Sequence, residues 1–192
     1  MGRDIIGFLM QGGSIKRIYG PLAISVIGLA FALFMAVSYS GPSIAPAVDL
    51  KESQGEAAPE FTLEDLSGKQ VSLSDFKNTR RVVINFWASW CVFCLQELPD
   101  LAELQKKFSD SIVVLAVNRG ESISEARKYI SQQNLEGRLI FLTDPEDKIF
   151  KQYQGYAMPT SVFISRSGVI LLKRPGQMSL SEMQKVLESF LY

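Results

Sequence analysis

Histidine is absent from this chain of 192 residues. That absence removes Ser-His-Asp and Cys-His triads, the H-E-x-x-H zinc helix, and imidazole as a proton carrier. Cysteine is nearly as scarce, with only Cys91 and Cys94. Two thiolates and no imidazole fall short of the four ligands of a structural zinc site within one chain. Surplus charge is lacking as well: 20 basic side chains face 20 acidic ones, for a formal net charge of zero. There is no long block of like charge and no internal repeat, so nothing points to nucleic acid or to a charged tail. Chemistry near neutral pH is left to thiols, carboxylates, lysines and tyrosines. What is present is 47% hydrophobic residues, enough for one domain of ordinary size whose core needs no staples.

From Pro21 to Ser40 the run PLAISVIGLAFALFMAVSYS carries no charge. As a helix it would span about 30 Å, the thickness of a bilayer's hydrocarbon core. Lys16 and Arg17 precede it, whereas Asp49, Lys51, Glu52 and Glu56 follow. The positive-inside rule then predicts a cytoplasmic segment over 1–20, a single transmembrane signal-anchor over 21–40 in the lipid bilayer of the cell membrane, and an extracytoplasmic (periplasmic) remainder. The competing reading is a cleaved signal peptide, with Ala45-Pro46-Ala47 as a weak cleavage site. Such peptides usually carry an apolar stretch of only about 7 to 15 residues. Residues 41–58 mix Pro, Gly, Ser and charged residues without periodicity, which predicts a flexible linker. The folded domain is expected over 59–192.

Within that domain, Phe61–Leu66 and Gln70–Leu73 alternate around Ser67-Gly68 and predict a hairpin. Arg81–Trp87, Ile112–Val117 and Leu139–Leu142 are apolar runs of the kind that form buried strands. Cys94–Phe108 and Ser124–Gln133 have helical spacing, and Pro99 is expected to bend the first of these or to mark a second start. A short helix over Lys148–Tyr153 precedes Gly155. Thr160–Ile164 and Val169–Lys173 flank Ser165-Arg166-Ser167-Gly168 as a second hairpin. The last helix opens on Ser179 and Glu182, which fit a capping box. Alternating strands and helices closed by a hairpin predict an α/β domain of three layers, α/β/α.

Cys91 and Cys94 come directly after a predicted buried strand and open a predicted helix. Three positions apart on a first helical turn, their sulfurs are close enough to bond and to part again with little backbone movement. A loop that short contributes little as a staple, so the pair suits cycling. The unpaired N–H groups and the positive end of the helix dipole favour a thiolate on Cys91, which makes it the nucleophile. Cys94, further in, would attack second and release the partner. A structural disulfide and a partial metal site are the alternatives that the spacing alone leaves open.

The stretch Val83-Ile84-Asn85-Phe86-Trp87-Ala88-Ser89-Trp90-Cys91-Val92-Phe93-Cys94, with Glu97, Leu98 and Pro99 behind it, resembles the active-site strand and helix of thioredoxin-like proteins. It is most similar to the membrane-anchored TlpA/ResA-like thiol:disulfide oxidoreductases. Gly155-Tyr156-Ala157-Met158-Pro159-Thr160 resembles their cis-proline loop, and Ala58-Pro59-Glu60-Phe61-Thr62-Leu63 with Ser67-Gly68-Lys69 resembles their N-terminal hairpin. The likeness covers roughly residues 57–192. It implies a thioredoxin-like sandwich with an N-terminal β-hairpin and one helix–strand insertion between Cys91 and Pro159. It also implies a redox-active Cys91–Cys94 disulfide, with Pro159 in the cis form and the Met158 backbone free to pair with an extended substrate. Trp90 would shape the substrate face.

Two positions depart from the pattern, Asn85 from that of thioredoxin itself and Phe93 from that of the TlpA/ResA-like family. Asn85 stands where thioredoxin has a buried aspartate, and the resemblance implies that Glu97 carries the proton instead. By its spacing alone, Glu97 is equally a solvated helix glutamate. Phe93 replaces the proline common before the second cysteine. The partners implied are client protein disulfides, apocytochrome c among them in cytochrome c maturation, and a membrane thiol carrier as electron donor. No cofactor and no metal are expected.

Three other functions bear on the same residues. A peroxidase of peroxiredoxin type needs a hydroxyl three positions before its cysteine and a proline seven before; here those are Ala88 and Ile84. A copper-delivering module would use soft thiolates, but its known forms add a histidine and a wider cysteine spacing. A tethered interaction domain with an idle cysteine pair is the third.

Overall fold

The structure is a computed structural model and describes residues 55–191. The expected cytoplasmic segment, the 21–40 anchor and most of the linker lie outside the described residues. Among the described residues no helix is long and apolar enough to cross a membrane.

A hairpin of β1 (Thr62–Asp65) and β2 (Gln70–Ser72) leads through a 3₁₀ turn at Leu73–Phe76 into β3 (Arg81–Trp87). Helix α1 (Val92–Lys107), β4 (Ile112–Arg119), α2 (Ile123–Gln132), β5 (Ile140–Asp144) and α3 (Lys148–Gln152) follow. The chain closes with β6 (Thr160–Ile164), β7 (Ile170–Pro175) and α4 (Leu180–Leu191). The seven strands form one mixed sheet in the order β2-β1-β5-β4-β3-β6-β7. Parallel β3, β4 and β5 make the middle of this sheet, and antiparallel partners cover both sides.

Strand periodicity explains the layering, because successive side chains point to opposite faces. Val83 and Trp87, Ile112, Val114 and Ala116, Phe141 and Phe163 face a core built with Leu98, Leu101, Ala126, Ile130, Met183 and Leu187, which come from α1, α2 and α4. The intervening Val82, Ile84 and Phe86, Val113, Leu115 and Val117, Leu142 and Val162 face Phe61, Leu73, Phe76, Phe150 and Tyr153. The second face is therefore covered by α3, the 3₁₀ turn and the chain that leads into β1. Each Val, Leu, Ile, Phe or Met among these side chains stabilises the fold by roughly 1.5 to 3 kcal/mol on burial. The central strands are buried on both faces, which is why they read as unbroken apolar runs rather than alternations.

Helix α1 runs through Pro99 as one element, with no second start. Pro99 is exposed and Leu95 only half-buried, so the Leu95 carbonyl that loses its amide partner lies within reach of solvent.

The two ends of the sheet differ in what they carry. Phe86, near the end of β3, pairs with Thr160 at the start of β6, and Trp87 pairs with Asn118. The segments after β3 and before β6 thus meet at one pole. At the other pole Val82 pairs with Ile164, Ile164 with Ile170, and Ala57 bridges to Val169. The incoming chain joins the domain there, about 17 Å along β3 from Trp87.

Candidate active site

Strand β3 ends on fully buried Trp87, whose ring sits against Tyr129 and Phe141 at centroid distances of 5.6 and 5.8 Å. With the strand fixed there, a tight turn carries the chain into α1, and the Cys91 N–H donates to the Ala88 carbonyl at 3.1 Å. Cys91 caps the helix: its sulfur accepts the Cys94 N–H at 3.2 Å. The two sulfurs are bonded, with the Cα atoms 5.3 Å apart, inside the range that disulfides ordinarily span. Cys91 retains 7% exposure and Cys94 none, so of the two cysteines Cys91 is the one that meets solvent.

Glu121 holds the turn before Cys91 from the side. Its carboxylate accepts from the Ser89 N–H at 2.8 Å, from the Ser89 hydroxyl at 2.5 Å and from Asn118 Nδ2 at 2.6 Å. Sequence reasoning missed this residue. The signal available was its place just past Gly120, which adopts φ +68° at the end of β4, the strand beside the cysteine-bearing one.

The Met158–Pro159 bond is cis, and Pro159 is buried immediately before β6. Thr160 Oγ1 donates to the Ala157 carbonyl at 2.7 Å and so fastens the loop. Met158 is half-buried against the cluster that contains both cysteines. Among the described residues nothing pairs with its backbone N–H. Trp90 is exposed beside Cys91.

Glu97 is not a solvated helix residue; it is fully buried one turn beyond Cys94. Asn85 Nδ2 donates to its Oε2 at 3.1 Å, while the Met178 N–H and the Ser161 hydroxyl donate to Oε1 at 3.1 and 3.5 Å. Burial pushes its carboxyl up from 4.5 to about 7, against the pull of those donors. Asn85, on the face of β3 turned towards α1, also donates to Ser161 Oγ at 3.0 Å, and its own Oδ1 has no partner. Among the described residues no three His, Cys, Asp or Glu side chains gather as a metal site.

A solitary disulfide at a helix mouth, beside a cis-proline loop on this sheet, is the site of a thiol:disulfide oxidoreductase of thioredoxin-like fold. The chain belongs to the AhpC/TSA family, whose model matches residues 54–173. The thioredoxin-like protein YneN of Bacillus subtilis is 34% identical over 163 residues, covering 81% of this chain and 93% of YneN. The thiol-disulfide oxidoreductase ResA of the same organism is 31% identical over 163 residues, covering 84% of this chain and 85% of ResA. Among solved structures, a Chlorobium tepidum chain assigned as the thiol:disulfide interchange protein DsbE matches with a TM-score of 0.66 and 31% identity. That match covers 72% of this chain and 98% of the other.

Proposed function

We propose that this protein is a membrane-tethered, extracytoplasmic reductant of client protein disulfides, with Cys91 as the attacking thiol and Cys94 as the resolving one. The observation that carries the reading is the setting of Cys91: its sulfur caps α1 and accepts the Cys94 N–H, and of the two cysteines it alone retains exposed surface. The same amide and the helix dipole would hold a thiolate there once the bond is reduced.

In the reduced protein the Cys91 thiolate attacks one sulfur of the client disulfide. A mixed disulfide forms, and the other client sulfur leaves as a thiolate that takes a proton from water. Cys94 then gives up its proton, attacks Cys91 Sγ and releases the second client thiol. Two electrons have passed to the client, and the protein is left as the Cys91–Cys94 disulfide. Glu97, buried on α1 one turn beyond Cys94 and raised to about 7, is the carboxyl placed to take the Cys94 proton. Pro159 and Met158 seat the client chain against the sulfurs, and Trp90 borders it. A membrane thiol carrier recharges the disulfide, and apocytochrome c is the client in cytochrome c maturation.

The uncharged run over 21–40 and the charges that flank it support the tether and its orientation. Cys94→Ser tests the chemistry. Clients should accumulate covalently on Cys91 and be released by reductant; absence of any adduct would refute the assigned roles. Protease added to intact spheroplasts should digest the domain, and full protection would place it on the wrong side of the membrane.

A further inference from the structure

Arg119 closes β4 at the pole where the disulfide sits. Neighbouring residues of a strand point to opposite faces, and this strand end serves two parts of the site. Asn118 reaches Glu121, which holds the Ser89 turn before Cys91. Arg119 turns the other way. Its Nε and Nη2 donate to the two Asp147 carboxylate oxygens at 2.7 and 2.5 Å, and its guanidinium lies over the Phe150 ring, 3.8 Å from the centroid. Asp147 stands at φ +56°, uncommon for a residue other than glycine. It gives α3 no side-chain cap; its carboxylate is turned to Arg119 instead, with Lys151 further off at 4.0 Å.

The Phe150 ring in turn bears on both ends of the segment that carries Met158 and Pro159. At one end, Gly155 comes so close that a Cβ on it would lie 2.2 Å from the ring, and its N–H donates to the Phe150 carbonyl at 2.9 Å. At the other, Phe86, which pairs with Thr160, packs on the ring with centroids 5.3 Å apart. Met158 lies between them and touches both cores, the one with Phe150 and the one with the cysteines. The segment therefore crosses the end of the sheet from one layer to the other.

We infer that Arg119 is a positioning residue for client binding: through Phe150 it fixes the backbone of residues 155–158, and with it the Met158 N–H that an extended client would meet. This deepens the proposed function and rests on clients lying beside Pro159. A hydrogen bond weakens steeply once its donor is misaligned, so a shift of this segment is felt in the hold on the client backbone. The thiols are anchored elsewhere, through Ala88, Ser89 and Glu121. Lysine at 119 would keep the charge but lack the fork that grips Asp147 and the flat group that covers the ring.

The test uses the reduced full-length protein in detergent with two substrates. A ten-residue peptide carries one cysteine as its mixed disulfide with glutathione and is long enough to lie along the segment. The second substrate, 2-hydroxyethyl disulfide, has no backbone to be seated. With either, the Cys91 thiolate forms a mixed disulfide and displaces one thiolate, Cys94 displaces the other, and stopped-flow fluorescence follows closure of the Cys91–Cys94 bond. In Arg119→Lys and in Asp147→Asn the ratio of the peptide rate to the small-disulfide rate should fall about tenfold, a difference of about 1.4 kcal/mol. The loss should appear as a higher half-saturating peptide concentration, with the saturated rate little changed. Phe150→Leu should lower the ratio as well, and adding Arg119→Lys to it should lower the ratio no further, since both act through one contact.

A ratio unmoved in both Arg119→Lys and Asp147→Asn, whether the two rates hold or fall together, would overturn the positioning role and leave exchange at Cys91 standing. So would a loss confined to the saturated rate. Additive losses in the double variant would overturn the route through Phe150. No reaction of the native protein with the peptide would overturn the client reading itself, and with it this inference.

Discussion

Asn85 donates its amide to Glu97 across 3.1 Å, and neither side chain retains any exposed surface. The pair joins β3 to α1 beneath the disulfide, and through Ser161 and Met178 it also reaches β6 and the segment before α4. A carboxyl kept there at about 7 is the clearest electrostatic departure in the site.

That departure has a consequence for stability. The folded protein holds the Glu97 proton up to about 7, whereas the ordinary value is 4.5. The resulting stabilisation is complete below pH 4.5 and is lost as pH rises through 7, about 3 kcal/mol in all. Glu97→Gln is neutral throughout, and the Asn85 amide can turn its free Oδ1 towards it. Urea unfolding of the oxidised protein between pH 5 and 8 should show a fall with pH that is absent in Glu97→Gln. A rise with pH in the native sequence would contradict the assignment.

Reduced protein should be alkylated by iodoacetamide at Cys91 well before Cys94, since only Cys91 has exposed surface. Peptide mapping after short exposure reads the order directly. Equal labelling would mean that the helix start opens on reduction.

Glu121→Gln keeps the shape but removes the charge that accepts three hydrogen bonds, two of them from Ser89. A bond to a charged group contributes about 1.5 to 3 kcal/mol, so denaturant unfolding should show a loss of about that size. The turn that presents Cys91 is loosened as well, and amide exchange at Ser89 and Trp90 should quicken. Unchanged exchange there would mean that the turn holds itself.

Gly155→Ala would place a Cβ 2.2 Å from Phe150 Cε2. Phe150 is buried against Phe86 at 5.3 Å and lies under the Arg119 guanidinium at 3.8 Å, so it has little room to yield. A cost of about 1 to 3 kcal/mol is expected from the overpacking, read as a lower unfolding midpoint. An unaltered midpoint would show that the loop before Pro159 shifts freely.

The strands were legible because the middle of this sheet is buried on both faces. Arg81–Trp87 and Thr160–Ile164 have the bounds that their β-branched and aromatic residues predict. Helix α1 starts at Val92 instead of Cys94, because the Cys91 sulfur supplies a cap that a serine or aspartate would usually provide. Glu97 was ambiguous for a different reason. A carboxylate in a helix reads as surface unless something shows that its face is covered, and the cover comes from Asn85, Ser161 and Met178, 12, 64 and 81 positions away. Glu121 was silent in the same way: besides nearby Asn118, its partner is Ser89, on a turn 32 residues earlier. Local pattern reports on elements, while a buried polar contact depends on what the topology brings to it.

The bridge from Ala57 to Val169 fixes where a handle can be attached. Because the leading end of the domain and its sulfurs occupy opposite ends of β3, a bead, an electrode or a solid support coupled at residue 55 would leave the reactive face turned outward and unobstructed.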